Sequence, residues 1–391
     1  MIPYSKQQVT LGDWISVSRT LFSSNLTQGP KIEEFEKRIA DYVGARFAVV
    51  MSSGTAALDL AVLVAKEMNS VKYLATSPIS FVASANCGLY NSLEIIFSDI
   101  DDQNICLSVS SLQERTNGLN SRDLVIVPVH FAGYAMDIEA IRRVAPDSVI
   151  VEDAAHAFGA SYDDGGRVGS CRSSDMTVFS FHPVKSITSC EGGAITTNNE
   201  HIYTLLRRLR SHGIAKRHGN LDDLFSQTRG LDNPWYYEMV DLGRHYRMSD
   251  IHAALGISQI RKTDKFIERR MSLARRYHEI LNESKWIHPS QTFKINSAHH
   301  LMSTRINFSE AKVSRAELII ELKKRGIGTQ VHYIPIPLHP FYREQGFDLH
   351  SLGNALDFYY SSLSLPLYPG MTFKQVEKVV HDVERVLSFG L

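Results

Sequence analysis

Seven short apolar runs punctuate the first half of the chain: Phe47 to Met51, Tyr73 to Thr76, Leu93 to Phe97, Asp123 to Val129, Ser148 to Asp153, Met176 to Phe181 and Gly193 to Thr197. Several are apolar at consecutive positions rather than at alternate ones, which predicts strands buried between two helical layers. Helical patterns lie between them, the clearest from Thr55 to Met68, so the alternation predicts an α/β domain with a mainly parallel sheet. That helix opens after Ser52-Ser-Gly-Thr55, which places a glycine-containing turn at a helix N-terminus.

The pattern changes after Ser249. A long helical region runs to about Ser284 and contains the basic stretch from Phe266 to Tyr277, which is read as a solvated helix face rather than a nucleic-acid site. A smaller α+β unit follows. Leu301 to Phe308 predicts a strand, and Ser314-x-x-Glu317 and Thr372-x-x-Gln375 are capping-box signals for two later helices. Pro335, Pro337 and Pro340 predict a rigid, non-helical loop between them. There is no internal repeat and no low-complexity tract.

Composition narrows the function classes. With 42 basic and 42 acidic residues the formal charge is zero, so no global field draws the chain to nucleic acid or to an anionic membrane. Any phosphate must be captured locally. The longest apolar stretch, Ala56 to Ala65, is interrupted by Asp59 and falls short of the roughly 20 residues that cross a bilayer, so it is expected to be a core helix. The N-terminus lacks the charged start and apolar stretch of a secretory signal, and a cytoplasmic protein is expected. Four cysteines without C-x-x-C pairing suit reduced thiols and give no zinc spacing. His332 and His339 stand seven residues apart across prolines and match no common metal motif, so no metal site is expected.

Two acid–base features stand out. Ser180-Phe-His-Pro-Val-Lys185 puts a lysine in a constrained loop between two predicted core strands. Burial lowers a lysine's proton affinity and leaves a neutral amine that can form a Schiff base; the alternative is a lysine at a loop tip. Asp153 ends a predicted interior strand, where ligands of open α/β sheets bind. A carboxylate there can hold a protonated pyridine nitrogen, the partner a pyridoxal cofactor requires to act as an electron sink. His156 either contacts the ring hydroxyl or serves as a structural hydrogen-bonding group. Ser52 to Thr55 either caps a helix or seats a phosphate. Phe81 either stacks on an aromatic cofactor or belongs to the core.

The strings Leu26-Thr-Gln-Gly-Pro30, Pro128-Val-His-Phe-Ala-Gly133, Glu152-Asp-Ala-Ala-His156, Ser180-Phe-His-Pro-Val-Lys185, Glu191-Gly-Gly193, Asn233-Pro-Trp-Tyr-Tyr-Glu238, Tyr246-Arg-Met-Ser-Asp250 and Gln330-Val-His-Tyr-Ile-Pro335 resemble the sugar aminotransferases of the DegT/DnrJ/EryC1/StrS family over almost the whole chain. The resemblance implies a type I pyridoxal-phosphate aminotransferase fold. It consists of a large domain, 1–247, with a mixed, mostly parallel sheet, and of 248–391, a long helical connection and a small C-terminal α+β domain. It also implies a homodimer with an active site at each subunit boundary.

Carried over residue by residue, Lys185 is the Schiff-base lysine, Asp153 the partner of the pyridine nitrogen and His156 a ring contact. Gly54, Thr55, Ala56 and Ser180 hold the cofactor phosphate, and Phe81 covers one ring face. Substrate contacts fall at Tyr4, at Ser24, Asn25, Leu26 and Thr27, and at Gln330, Val331, His332 and Tyr333. Where the family has Asn before Tyr-Arg-Met, this chain has His245, at the position of a phosphate contact reached from the neighbouring subunit. Pyridoxal 5′-phosphate is the implied cofactor, with a nucleotide-linked keto sugar, UDP-linked by resemblance, and L-glutamate as substrates.

Three other readings are weighed against this one. Family members that dehydrate the sugar at C3 have histidine at the lysine position, against which Lys185 speaks. A nicotinamide-dependent oxidoreductase would need a Gly-x-Gly-x-x-Gly after an early strand, and none is found. A non-catalytic regulator would be expected to carry a basic recognition helix, which the N-terminus lacks.

Overall fold

All seven apolar runs form strands of one sheet: β1 (Phe47–Met51), β2 (Tyr73–Thr76), β3 (Glu94–Phe97), β4 (Leu124–Val127), β5 (Val149–Asp153), β6 (Met176–Ser180) and β7 (Gly193–Thr197). A computed structural model, which describes residues 1–215, 237–347 and 349–389, orders them β1-β7-β6-β5-β4-β2-β3. β2 through β6 pair in parallel, while β7 is antiparallel to both of its neighbours, β6 and β1. The sheet is therefore mixed and mostly parallel, as expected. β4, β5 and β7 are buried at every position, which is why their sequences do not alternate.

Helices α1 (Leu11–Leu21), α2 (Pro30–Val43), α3 (Gly54–Asn69) and α4 (Ala83–Tyr90) come from the first quarter of the chain. α3 is the apolar run Ala56 to Ala65, and Asp59 within it is buried. Its carboxylate accepts hydrogen bonds from Asn91 Nδ2 at 2.9 Å, Tyr246 OH at 2.8 Å and Arg244 Nε at 3.3 Å. An unpaired charge there would cost several kcal/mol. The acid that breaks the apolar run is thus the point at which segment 244–246 is tied to α3.

Three apolar cores result. One joins α3 and α4 to the sheet. A second lies on the opposite side, where Phe35 of α2 and the helix Asp250–Ile260 meet Phe158, Phe179 and Phe181. The third surrounds a three-stranded antiparallel sheet, Ile287–Pro289, Met302–Ile306 and Ser362–Leu365, with the helices Thr263–Leu281 and Phe373–Phe389. The chain crosses between cores: Ile2 packs in the third, and Ile336, Tyr342 and Phe358 pack in the first. These crossings bring the N-terminal segment and the 330s loop to the large sheet.

Both capping boxes form, at Ser314 with Glu317 and at Thr372 with Gln375. The helical region after Ser249 forms as expected, with one break, and one expectation, the proline loop, needs correction. The helical region after Ser249 is two helices, because Lys262 leaves the helical backbone (φ −110°, ψ 1°) and its Nζ turns to the buried Asp13 carboxylate at 2.6 Å. The proline loop is not free of helix. Ile336–Leu338 is a 3-10 turn and Pro340 opens a one-turn helix, at the first helical position, where its missing N–H costs nothing.

Candidate active site

Strands β5 and β6, the start of α3 and the 330s loop enclose a cavity of about 400 Å³. Asp153, the last residue of β5, faces it. The neighbouring Glu152 points the other way, as strand alternation requires, and is sealed among His130 Nε2 (2.7 Å), Thr177 Oγ1 (2.8 Å), Tyr162 OH (2.5 Å) and the Ser174 hydroxyl. These donors hold the Glu152 carboxyl below its usual range against the opposing effect of burial. Asp153 is fixed at both backbone groups, its N–H donating to Pro128 O at 2.8 Å and its carbonyl accepting from His130 N at 3.1 Å.

Lys185 reaches the same cavity from the loop that follows β6. A turn closed by Lys185 N donating to His182 O at 2.9 Å sets the loop, and Ser189 N donating to Phe181 O at 2.9 Å closes its base. Burial pushes the Lys185 ammonium down to about 8, although the Asp153 charge pulls in the other direction. The loop thus supplies an amine that is substantially neutral at mildly alkaline pH.

The start of α3 forms the floor. Ser53 caps the helix by accepting from Ala56 N at 3.1 Å, so the first-turn N–H groups of Gly54 and Thr55 have no partner within the helix. A Cβ on Gly54 would stand 2.8 Å from Ser180 Cβ, so only glycine allows the helix start to meet the end of β6. Free N–H groups, two hydroxyls and the positive end of a helix dipole make a phosphate seat. Of the two readings of Ser52 to Thr55, the cap forms at Ser53, while Gly54 and Thr55 line the cavity, where a phosphate could be received.

Aromatic and imidazole groups close the cavity. Tyr333 OH meets His156 Nε2 at 3.1 Å, while His156 Nδ1 is buried without a hydrogen-bond partner. The His300 ring lies 4.4 Å from that of His156. Burial holds both histidines well below their usual range, and His332, bonded through Nδ1 to Ser364 Oγ at 2.9 Å, is pushed down to about 3. All three are therefore neutral at ordinary pH. Phe81 is not a core residue: 59% of it is exposed, and its ring centroid lies 6.4 Å from that of Tyr333.

Among the expected site residues, the structure brings Tyr4, Gly54, Thr55, Phe81, Asp153, His156, Ser180, Lys185, His332 and Tyr333 to the cavity. The others stand apart within the single chain. Ala56 is buried in the first core, and Ser24 to Thr27 are exposed, with Leu26 O accepting from Asp250 N at 2.9 Å. Gln330 and Val331 flank the cavity lining, Gln330 exchanging backbone bonds with Ser364. His245 is exposed, its ring 5.3 Å from that of His212. Residues 233–236 of the Asn-Pro-Trp-Tyr-Tyr-Glu motif lie outside the described residues. Sequence reasoning missed Ser80, Ser84 and His300. Ser80 and His300 line the cavity, and Ser84 donates to Asp153 Oδ2 at 2.6 Å.

A buried carboxylate at a strand end, an amine of lowered proton affinity and a helix N-terminus open on one cavity match the demands of a phosphorylated pyridine aldehyde. The model of one protein family matches residues 13–384. The chain belongs to the DegT/DnrJ/EryC1/StrS aminotransferase family. It is 37% identical over 373 residues to the uncharacterized protein MJ1066 of Methanocaldococcus jannaschii, covering 94% of this chain and 93% of that one. It is 35% identical over 398 residues to the UDP-4-amino-4,6-dideoxy-N-acetyl-β-L-altrosamine transaminase of Campylobacter jejuni, covering 99% of this chain and 98% of the relative. A Streptococcus pneumoniae structure described as a sugar aminotransferase in its PMP form superposes with a TM-score of 0.88 at 29% identity, covering 100% of both chains. Like its family, the chain is a sugar aminotransferase with the type I fold, and its cofactor is pyridoxal phosphate. The residues present fit that group: the unpartnered His156 Nδ1 and the Gly54–Ser180 approach are features that an empty structural cavity would not require. No described helix is long and apolar enough to cross a membrane.

Proposed function

We propose that the chain transfers an amino group from L-glutamate to C4 of a UDP-linked 4-keto-6-deoxy sugar, UDP-4-keto-6-deoxy-N-acetyl-L-altrosamine. The observation that carries the chemistry is the shared cavity of Lys185 and Asp153. The printed activity of the Campylobacter relative, aligned end to end with this chain, supports the choice of sugar.

Bound pyridoxal phosphate supplies an electron sink that stabilises negative charge on the carbon being deprotonated. In this reading Lys185 holds the cofactor covalently through Nζ, and Asp153 accepts a hydrogen bond from its ring nitrogen. Gly54 and Thr55 give backbone N–H groups to its phosphate, with Ser180 and Ala56 beside them. His156 contacts the ring and Phe81 covers one face. Once displaced by an incoming amine, Lys185 Nζ would carry the proton from the donor's carbon to the cofactor's C4′, and in the second half from C4′ to C4 of the sugar, as general base and then general acid.

Tyr4, His332 and Tyr333 are the sugar-facing groups of this chain. Gln330 and Val331 extend that substrate-facing wall, Ser24 to Thr27 add substrate contacts, and His245 stands at the position of a cofactor-phosphate contact made across a homodimer boundary. The exposed apolar side chains Leu11, Trp14, Leu21 and Phe22, on and beside α1, with Met239 and Leu242, support that assembly. Residues 1–247 form the cofactor-binding part and 248–391 the remainder, in a cytoplasmic enzyme.

The test is mass spectrometry of UDP-keto sugars incubated with the holoenzyme and L-glutamate. Appearance of the 4-amino sugar with one equivalent of 2-oxoglutarate is expected. Transfer only to a sugar on a different nucleotide, or none from glutamate, would overturn the substrate assignment.

A further inference from the structure

We propose that Ser84, with Ser80 behind it, is a positioning residue that fixes the rotation of the Asp153 carboxylate toward the ring nitrogen of the cofactor. The inference rests on the assignment of Asp153 to that nitrogen.

The terminal torsion of aspartate is broad, so strand geometry alone does not orient its oxygens. Two donors do so here. Ala155 N donates to Oδ1 at 3.1 Å and Ser84 Oγ donates to Oδ2 at 2.6 Å. The second is the shorter and comes from a side chain 69 positions away. Ser84 and Ser80 are themselves 2.6 Å apart through their hydroxyl oxygens. Ser84 gives its one proton to Asp153, which leaves its lone pairs to accept from Ser80. The chain therefore runs in one direction, Ser80 to Ser84 to Asp153, and each bond polarises the next.

A serine near a helix start usually caps that helix. This one does not. α4 begins after Val82, which makes no side-chain cap, and the Ser84 hydroxyl reaches a residue 69 positions away. Ser84 is fully buried and Ser80 is buried at the cavity wall. Neither hydroxyl serves solubility or helix capping, and both converge on the single carboxylate that the chemistry needs.

The test uses holoenzyme loaded with cofactor isotopically labelled at the ring nitrogen. In the wild type the nitrogen resonance should be that of a protonated ring. Ser84→Ala should move it toward the unprotonated position and speed cofactor loss on dialysis by about tenfold, the size expected for losing a hydrogen bond to a charged group. Ser80→Ala should move it less, in the same direction. If Asp153→Asn moves the resonance but neither serine variant does, the serines are merely structural and the proposal fails. If Asp153→Asn also leaves it unmoved, the assignment of Asp153 falls first and takes the proposal with it.

Discussion

At the sheet end of the cavity, Asp153, Ser180 and Gly54 stand where β5 and β6 stop and α3 begins, so regular structure sets their positions. At the opposite end, Tyr4 comes from the N-terminal segment and His332 and Tyr333 from the proline-rich loop, held by the Tyr333–His156 and His332–Ser364 bonds. The first end can place a ring and a phosphate to within the tolerance of a backbone ladder. The second, built on loop and terminal segments, can change residue by residue without disturbing the sheet.

The same contrast exists on a smaller scale between adjacent carboxylates of β5. Glu152 is closed in by four side-chain donors, whereas Asp153 keeps one side open to the cavity. Glu152→Gln tests whether the closed side is a stability element. It should lose about 3 kcal/mol in denaturant unfolding, the scale for breaking a buried charged network. The pH dependence has a definite sign. The folded carboxyl lies below its ordinary 4.5, so its contribution is fully present above that pH and is lost as pH falls from there through the lower folded value. Wild-type stability should drop on acidification in that range, and the variant should drop less. Equal stability at neutral pH would show that the closed network is dispensable.

A smaller effect is expected at the loop end. Tyr333→Phe removes one hydroxyl from His156 Nε2 and leaves the ring contacts with His156 and Phe81. The KM for the sugar should rise roughly three- to tenfold, in keeping with one neutral hydrogen bond, with little change in cofactor retention. A variant that loses cofactor as readily as a sheet-end variant would blur the division between the two ends.

Legibility in the sequence follows this division. Uninterrupted apolar runs revealed all seven strands, and the lysine loop and the strand-ending aspartate revealed the core of the site, because each signal is local. The missed groups act over distance. Ser84 meets Asp153 across 69 positions, and the helix break at Lys262 answers to Asp13, 249 positions away. His300 reaches the cavity because its backbone N–H is held by Ala132 O at 2.8 Å, a contact with no spacing signature. For Ser24 to Thr27 the expectation rests on resemblance to a family alone, and within the single chain these exposed residues stand apart from the cavity.

The chemistry depends on the Lys185 amine carrying the cofactor. Borohydride reduction of the holoenzyme, followed by digestion and mass spectrometry, tests it most directly. The reduced cofactor is expected on the peptide containing Lys185, none on a Lys185→Ala protein, and capture by the cofactor-free protein should quicken as pH rises through about 8. An unmodified Lys185, or the label on another lysine, would contradict it.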